Sequence, residues 1–514
     1  MANVKCDLVL HDAQIFGCPA SDGIAITDGA IVTHGKFAEL KALVGPRTHI
    51  IRLGGRTIAP GFIDSHLHYL EAASVFSGVQ LSKARTLGDL FLELRAAAAR
   101  TAPGNWLKAF GCDEALLRDR RGPTRSELDE AVTKNPLRLR HQTLHASWLN
   151  SRAIAALGLE KPDFIPPDGA NLVRDSAGRL TGLVVGMEQW LTARLPPVTA
   201  ADLEARVRLF SRELSAQGVT SFTDANYRNG LDEVKLFGRL IADRAISQRV
   251  GLMIGAPHLE SIDELRAAAD RAQVGLAAAK FIDVAVADPL MLGQTVQRAA
   301  AAGLDCAFHA TEVEELEAAL DAIDAAIRQY GDAGAMPATM RIEHGGVITP
   351  DQIKRIAACK AWVVTNPAFI HYRGLKYADQ PGLIPYLYRA QSLRRAGINL
   401  AGGTDAPVTP PRPLAAISAA VARQSIDGSE LAPSERLPIA QAFDLFNASA
   451  ARLARIRAGE IAPDRAADLI VLQRDPLKIR PAELMNLQVD MTMVGGRVVY
   501  ERGRPEVAAG IPGQ

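Results

Sequence analysis

Pro60-Gly-Phe-Ile-Asp-Ser-His-Leu-His68 is an apolar, extended run that ends in two histidines one residue apart. Side chains along an extended segment alternate with period two, so both imidazoles point to one side. Two neutral imidazoles on one face form half of a site for Zn, Mn, Fe or Ni. Taken alone, the pair fits two solvated loop histidines equally well, so the surroundings decide. The run Thr57 to Asp64 is the first of eight short apolar, β-type runs. The others are Val219 to Asp224, Val250 to Gly255, Ala277 to Val284, Leu304 to His309, Met340 to His344, Ala361 to Thr365 and Ile398 to Gly402. Between many of them lie Ala/Leu/Glu/Arg-rich segments with helical spacing, such as Glu312 to Gln329 and Pro350 to Cys359. Strand–helix alternation predicts parallel strands covered by helices, and eight repeats predict a (β/α)8 TIM barrel, with a doubly wound open sheet as runner-up.

About 150 positions separate the first two runs, far more than one crossover needs. The intervening chain therefore reads as an insertion domain after the first barrel strand. It carries its own strand-like piece, Pro136-Leu-Arg-Leu-Arg-His141, and a break at Pro196-Pro197 returns the chain to the barrel. The two ends are β-rich. Asp7 to His11, Gly23 to Thr27 and Gly29 to Thr33 match Asp468 to Leu472 and Met491 to Tyr500, the last pair of strands joined across Gly495-Gly496. A small composite β-sandwich built from both termini is the expectation, since chain ends often lie close together. The predicted boundaries are 1–56 and 456–514 for that sandwich, 57–68 for the first barrel strand, 69–197 for the insertion and 198–455 for the remaining barrel.

Composition narrows the function. Lys and Arg number 58 against 57 Asp and Glu among 514 residues, and aromatics are 5%. Neither a basic stripe nor a stacking platform for nucleic acid is present, and nothing suggests an anionic membrane surface. The expected partner is a small-molecule substrate. Five scattered cysteines without a CxxC suggest a reduced, cytoplasmic chain with no Cys-based zinc site. The N-terminal MANVKCDLVLHDAQIFG lacks an apolar signal core, and no run of 18 apolar residues occurs. A homodimer is the assembly expected from size alone.

The HxH pair has company. His309 ends Cys306-Ala-Phe-His309, His344 ends Arg341-Ile-Glu-His344, Asp405 follows Gly402-Gly-Thr-Asp405, and Lys280 lies in Ala277-Ala-Ala-Lys-Phe-Ile-Asp283. In a barrel the carboxyl ends of strands converge on one face, where active sites are found. Four histidines, an Asp and a Lys at such ends make a metal constellation. Each alone has an ordinary reading: a core histidine, a helix N-cap or a surface cation.

The order HxH, Lys, His, His, Asp resembles the metal-dependent amidohydrolase superfamily. So do Gly218-Val-Thr-Ser-Phe-Thr-Asp, Arg341-Ile-Glu-His-Gly-Gly-Val, Gly402-Gly-Thr-Asp-Ala-Pro and the tail Val494-Gly-Gly-Arg-Val-Val-Tyr. The segment His141-Gln-Thr-Leu-His-Ala-Ser-Trp-Leu-Asn-Ser-Arg-Ala-Ile is similar to the branch that includes N-substituted formamide deformylase. The resemblance implies a hydrolase of a non-peptide C–N bond in an amide, formamide, carbamate or cyclic amide. It implies two divalent ions, Zn2+ by type, with one ion as the alternative. His66 and His68 would hold the first, His309 and His344 the second, and a carboxylated Lys280 would bridge them. Asp405 would bind the first ion and serve as general base and acid while hydroxide attacks the carbonyl.

Two departures accompany it. Thr181-Gly-Leu-Val-Val-Gly186 places Glu188 two residues beyond the acid usual in that branch. His309-Ala-Thr-Glu312 resembles mononuclear deaminases of cyclic substrates, where the Glu shuttles protons; the competing reading makes Glu312 the start of a helix, where a carboxylate suits the positive end. His145 and Trp106 in the insertion, and Asn366 and Arg373 after the seventh strand, are the expected substrate-binding residues. Asp224 and Asp283 are candidates to hydrogen-bond the ligand histidines.

Overall fold

The computed structural model describes residues 5–143, 145–330, 338–378 and 380–504. The chain divides into two compact units, 1–68 with 211–514, and 69–210.

The first unit contains an eight-stranded parallel sheet in TIM-barrel order. Its strands are β1 (Phe62–Leu67), β2 (Val219–Asp224), β3 (Arg249–Gly255), β4 (Gly275–Phe281), β5 (Cys306–Ala310), β6 (Met340–His344), β7 (Trp362–Thr365) and β8 (Leu400–Gly402), each paired with the next. Beyond β8 the backbone returns to β1, where Asp405 N–H donates to the His66 carbonyl and His68 N–H to the Ala406 carbonyl, both at 2.8 Å. The period-two alternation sorts the side chains. Ala225, Met253, Ala278 and Ala307 pack together in one small cluster. Phe281, Phe308 and Ile342 point the other way, into a core shared with Leu316 and Leu320 of helix Val313–Tyr330 and Ile353 of helix Pro350–Ala358. The latter helix starts at a reciprocal cap between Thr349 and Gln352.

One boundary differs from expectation. The run Thr57 to Asp64 is not one strand. Thr57–Pro60 pairs with Leu469–Leu472 in another sheet, and the barrel begins only at Phe62. That other sheet has five strands, ordered Gln14–Ile15, Thr57–Pro60, Leu469–Leu472, Val489–Val494, Arg497–Glu501. A four-stranded sheet holds Ala30–Gly35, Gly23–Thr27, Leu8–His11 and His49–Arg52. The two sheets share a core that includes Leu10, Ile24, Ile58, Leu469 and Met491. Gly495 and Gly496 both have positive φ, 54° and 72°, as a two-residue hairpin turn of the favoured hand requires.

The second unit is built on a six-stranded sheet ordered Asn171–Arg174, Leu180–Val185, Ala146–Leu149, Leu137–His141, Leu107–Cys112, Val79–Gln80. It ends at 210 rather than 197, inside helix Ala200–Ala216. The reason is packing. Tyr69 donates its hydroxyl to the Val207 carbonyl, and its ring lies 5.2 Å from that of Phe210. The early turns of the helix therefore belong to the core of this unit. Among the described residues no helix is long and apolar enough to cross a membrane. All five cysteines are unpaired.

Candidate metal centre

His66 ends β1 fully buried. Its Nδ1 lies 2.5 Å from Glu343 Oε2, and Glu343 also takes Arg341 Nε on its other oxygen at 2.5 Å. A carboxylate can only accept, so Nδ1 carries the proton and Nε2 keeps its lone pair. That lone pair faces Asp405 Oδ1 at 3.5 Å, while His68 Nε2 lies 3.2 Å from the same oxygen. Ligand atoms of His66, His68 and Asp405 all fall within 4.8 Å of one another. His66 Nε2 and Asp405 Oδ1 are nonetheless buried without an aligned hydrogen bond among the described residues. Buried polar atoms left in this state are rare and call for a partner.

Protonation states agree with that role. Burial, then Lys280, pushes His66 down to about 4. His344 and His309 are also held below the usual imidazole value, first by burial. Burial works against protonation of His68, but Asp405 outweighs it and raises its pKa. Burial likewise opposes ionisation of Asp405, and the imidazoles of His68, His344 and His66 overcome it and keep the carboxyl ionised. A divalent ion binds neutral imidazoles and an ionised carboxylate, the states favoured at His66, His344, His309 and Asp405, whereas His68 must give up its proton to join them.

His344 and His309 form the second group. His344 Nδ1 is 2.8 Å from Asn366 Oδ1, and the Asn366 amide is oriented by donating Nδ2–H to the Gly403 carbonyl at 2.9 Å. Nδ1 is therefore the protonated nitrogen. Nε2, left with its lone pair, accepts a hydrogen bond from His309 Nδ1 at 3.1 Å. Lys280 is buried on β4, its Nζ has no partner among the described residues, and burial pushes its pKa down to about 8. As an ammonium it would repel a cation held by these histidines.

Backbone shape builds the cluster. Asp405 and His344 both have left-handed φ, 56° and 72°. At His344 this breaks the strand alternation, so that Glu343 and His344 both reach His66: Glu343 bonds it, and the His344 ring lies 4.6 Å away. Asp64, two residues before His66, takes Thr404 N–H and Thr404 Oγ1–H at 3.0 and 2.5 Å. Burial raises Asp64 to about 7 despite these donors. Gly403 lies so close that a Cβ there would stand 2.6 Å from that of His66. Asp64 and Glu343 were passed over in the sequence. The period-two series Asp64, His66, His68 was a usable signal for the first, whereas Glu343 has no such mark.

Several expected roles shift. Asn366 is committed to His344 and Gly403 rather than open to substrate. Arg373 lies over the Phe369 ring at 5.0 Å; Phe369 in turn stacks on Tyr388 and lies 6.5 Å from the His344 ring. Trp106 packs against the core of the second unit, where His145 is exposed. Asp283 is exposed, but Asp224 is buried and acts electrostatically on His68. At the start of helix Val313–Tyr330 the capping carboxylate is Glu315, which takes the Thr311 and Glu312 amides, and Glu312 itself is exposed. Glu188 takes Arg138, Arg140 and Ser147. A further trio, Asp113, Glu114 and His141, also has ligand spacing. There Thr143 N–H donates to His141 Nδ1, so Nε2 carries the proton toward the carboxylates and offers no lone pair.

The fold and this centre define a class, and comparison with known proteins agrees. Residues 49–500 match the model of the amidohydrolase family, and the chain belongs to that family. It is thus a metal-dependent hydrolase acting on carbon–nitrogen bonds. Among its relatives, it is 28% identical to the amidohydrolase YtcJ of Bacillus subtilis (strain 168), over 94% of this chain and 96% of that one. It is 26% identical to the N-substituted formamide deformylase of Arthrobacter pascens, over 96% and 98%. The crystal structure of an uncharacterized metal-dependent hydrolase from Pyrococcus horikoshii superposes with a TM-score of 0.71 at 21% identity, covering 92% of this chain and 99% of that one.

Proposed function

We propose that this protein hydrolyses a non-peptide C–N bond of an amide, formamide, carbamate or cyclic amide. The observation that carries the reading is the meeting of His66 Nε2, His68 Nε2 and Asp405 Oδ1 at β1 and beyond β8, two of them buried and unbonded. These three residues would hold one divalent ion, with zinc the type that suits nitrogen and carboxylate donors. His309 and His344 would hold a second, provided Lys280 is a carbamate. A neutral Lys280 amine adds to the carbon of CO2, losing a proton, and becomes an anion. The low pKa of Lys280 keeps more of it neutral than a surface lysine at the same pH. When bound, the metal supplies Lewis acidity at the carbonyl and makes water a stronger acid.

The remaining chemistry belongs to the chain. Asp405, ionised among the imidazoles, accepts a proton from the attacking water and delivers it to the leaving nitrogen. Glu343 and Asn366 hold the tautomers of His66 and His344. The Phe369–Tyr388 stack beside His344 offers an apolar wall to the acyl or amine part of a substrate. The relative named a formamide deformylase makes N-substituted formamides the first substrates to try.

Metal analysis of freshly purified protein, paired with an amide, formamide and carbamate panel, tests the proposal. Two equivalents per chain are expected, and Asp405→Asn should lower turnover by at least about 10²-fold. One equivalent, with ammonia release lost in Glu312→Gln and kept in Lys280→Ala, would instead establish a mononuclear deaminase. Full activity and metal content in His66→Ala and Asp405→Asn would overturn both.

A further inference from the structure

In the second unit, Leu107, Ala109, Leu137 and Leu139 face one core. The alternate residues Lys108, Phe110, Arg138 and Arg140 therefore share the opposite face. The strands are parallel neighbours, and their register sets Lys108 directly opposite Arg138. Like charges in that relation repel. Two of the three cations are compensated. Arg138 pairs with Glu188 and also reaches Ser147 and Thr192, while Arg140 pairs with Glu71 and Glu188. Lys108 has no hydrogen-bond or ion-pair partner among the described residues. It is half-buried, and burial, then Arg206 and Arg138, push its ammonium pKa down.

Lys108 stands where two cavities meet. One, of about 270 Å3, is lined by Lys108, Arg138 and Arg140 with apolar walls from Val75, Leu195 and Pro197. The other, of about 850 Å3, adds Arg100 and Arg206, with Glu93 and Asp202 as its acids. Over both cavities and Glu188, five cations face four carboxylates. The excess is one charge, and Lys108, Arg100 and Arg206 are the cations there without an ion pair among the described residues.

We propose that this pocket of the second unit binds a small organic carboxylate, with its anionic end at Lys108 and Arg206 and its apolar body between Val75, Leu195 and Pro197. A monoanion matches the net excess of one positive charge. The apolar walls favour an organic body over an inorganic ion. Every residue that lines it lies within 71–206, and none of them is a proposed metal ligand.

Calorimetric titration of the full-length protein with benzoate, and separately with inorganic phosphate, tests this. Benzoate should bind once per chain, before and after chelation of metal. Binding should weaken by about tenfold or more in Lys108→Met and in Arg206→Gln, and persist in Lys108→Arg. If Lys108→Met fails to fold, Arg206→Gln with Lys108→Arg carries the comparison. The proposal is overturned by no benzoate binding at millimolar concentration, by equal binding in wild type and Lys108→Met, or by binding that vanishes on chelation. Phosphate binding without benzoate binding overturns the organic-carboxylate assignment.

Discussion

Glu343 decides what His66 can do. Its carboxylate fixes the imidazole proton on Nδ1, which leaves Nε2 for an ion. Glu343→Gln keeps the shape but can present an amide N–H to Nδ1, which then favours the opposite tautomer. Metal affinity should fall about 10- to 100-fold, as measured by competition with a chelator, while the far-ultraviolet circular dichroism stays unchanged. Unaltered affinity would show that the tautomer is set elsewhere. At this scale the positions of His66, His68, His309, His344, Lys280 and Asp405 were legible because barrel strand ends converge. Glu343 was not, because its reach to His66 sits beside a left-handed backbone at His344, and nothing in Arg341-Ile-Glu-His344 announces one.

Elements were read well where pattern and capping agreed. Pro350–Ala358 begins at the Thr349 cap and runs nearly to the predicted end. Thr57 to Asp64 was misread because an unbroken apolar run looks the same in one buried strand as in two. Glu312 was given the helix-start role that belongs to Glu315, three residues further in, where a side chain can turn back to free amides. The same device holds helix Arg125–Ala131 in the second unit. Glu127 takes Thr124 N–H at 2.8 Å and both terminal nitrogens of Arg121, at 2.8 and 2.7 Å, and its pKa falls to about 2. The Arg121 hydrogen bonds lead among the lowering causes. A depressed folded-state pKa contributes stability that is complete above the unfolded value near 4.3 and disappears as pH falls through about 2. Glu127→Gln should therefore cost about 0.5–1 kcal/mol at pH 7, limited by solvent screening, with the charge-dependent part fading to nothing only below about pH 2. Urea melts at several pH values would reveal it. A loss independent of pH would mean that only the cap geometry matters, not the charge.

At the scale of the whole molecule, the barrel was legible from its eight recurring strand ends. The limit of the inserted unit was not, since a Pro-Pro pair marks a turn whereas packing of Val207 and Phe210 decides where helix Ala200–Ala216 belongs. The five-stranded sheet carries a further consequence. Thr57–Pro60 lies between Gln14–Ile15 and Leu469–Leu472, so one of its edges is closed by residues about 410 positions later. A ribosome adding about 5–20 residues per second needs roughly 20–80 s to deliver them. Throughout that interval the nascent chain carries an open β edge of the kind that recruits other strands. A chain stopped after residue 460 keeps every proposed ligand, yet should emerge insoluble or chaperone-bound; a soluble, metal-loaded product would refute this. Synthesis of this enzyme therefore has a vulnerable period that ends only when its last strands leave the ribosome.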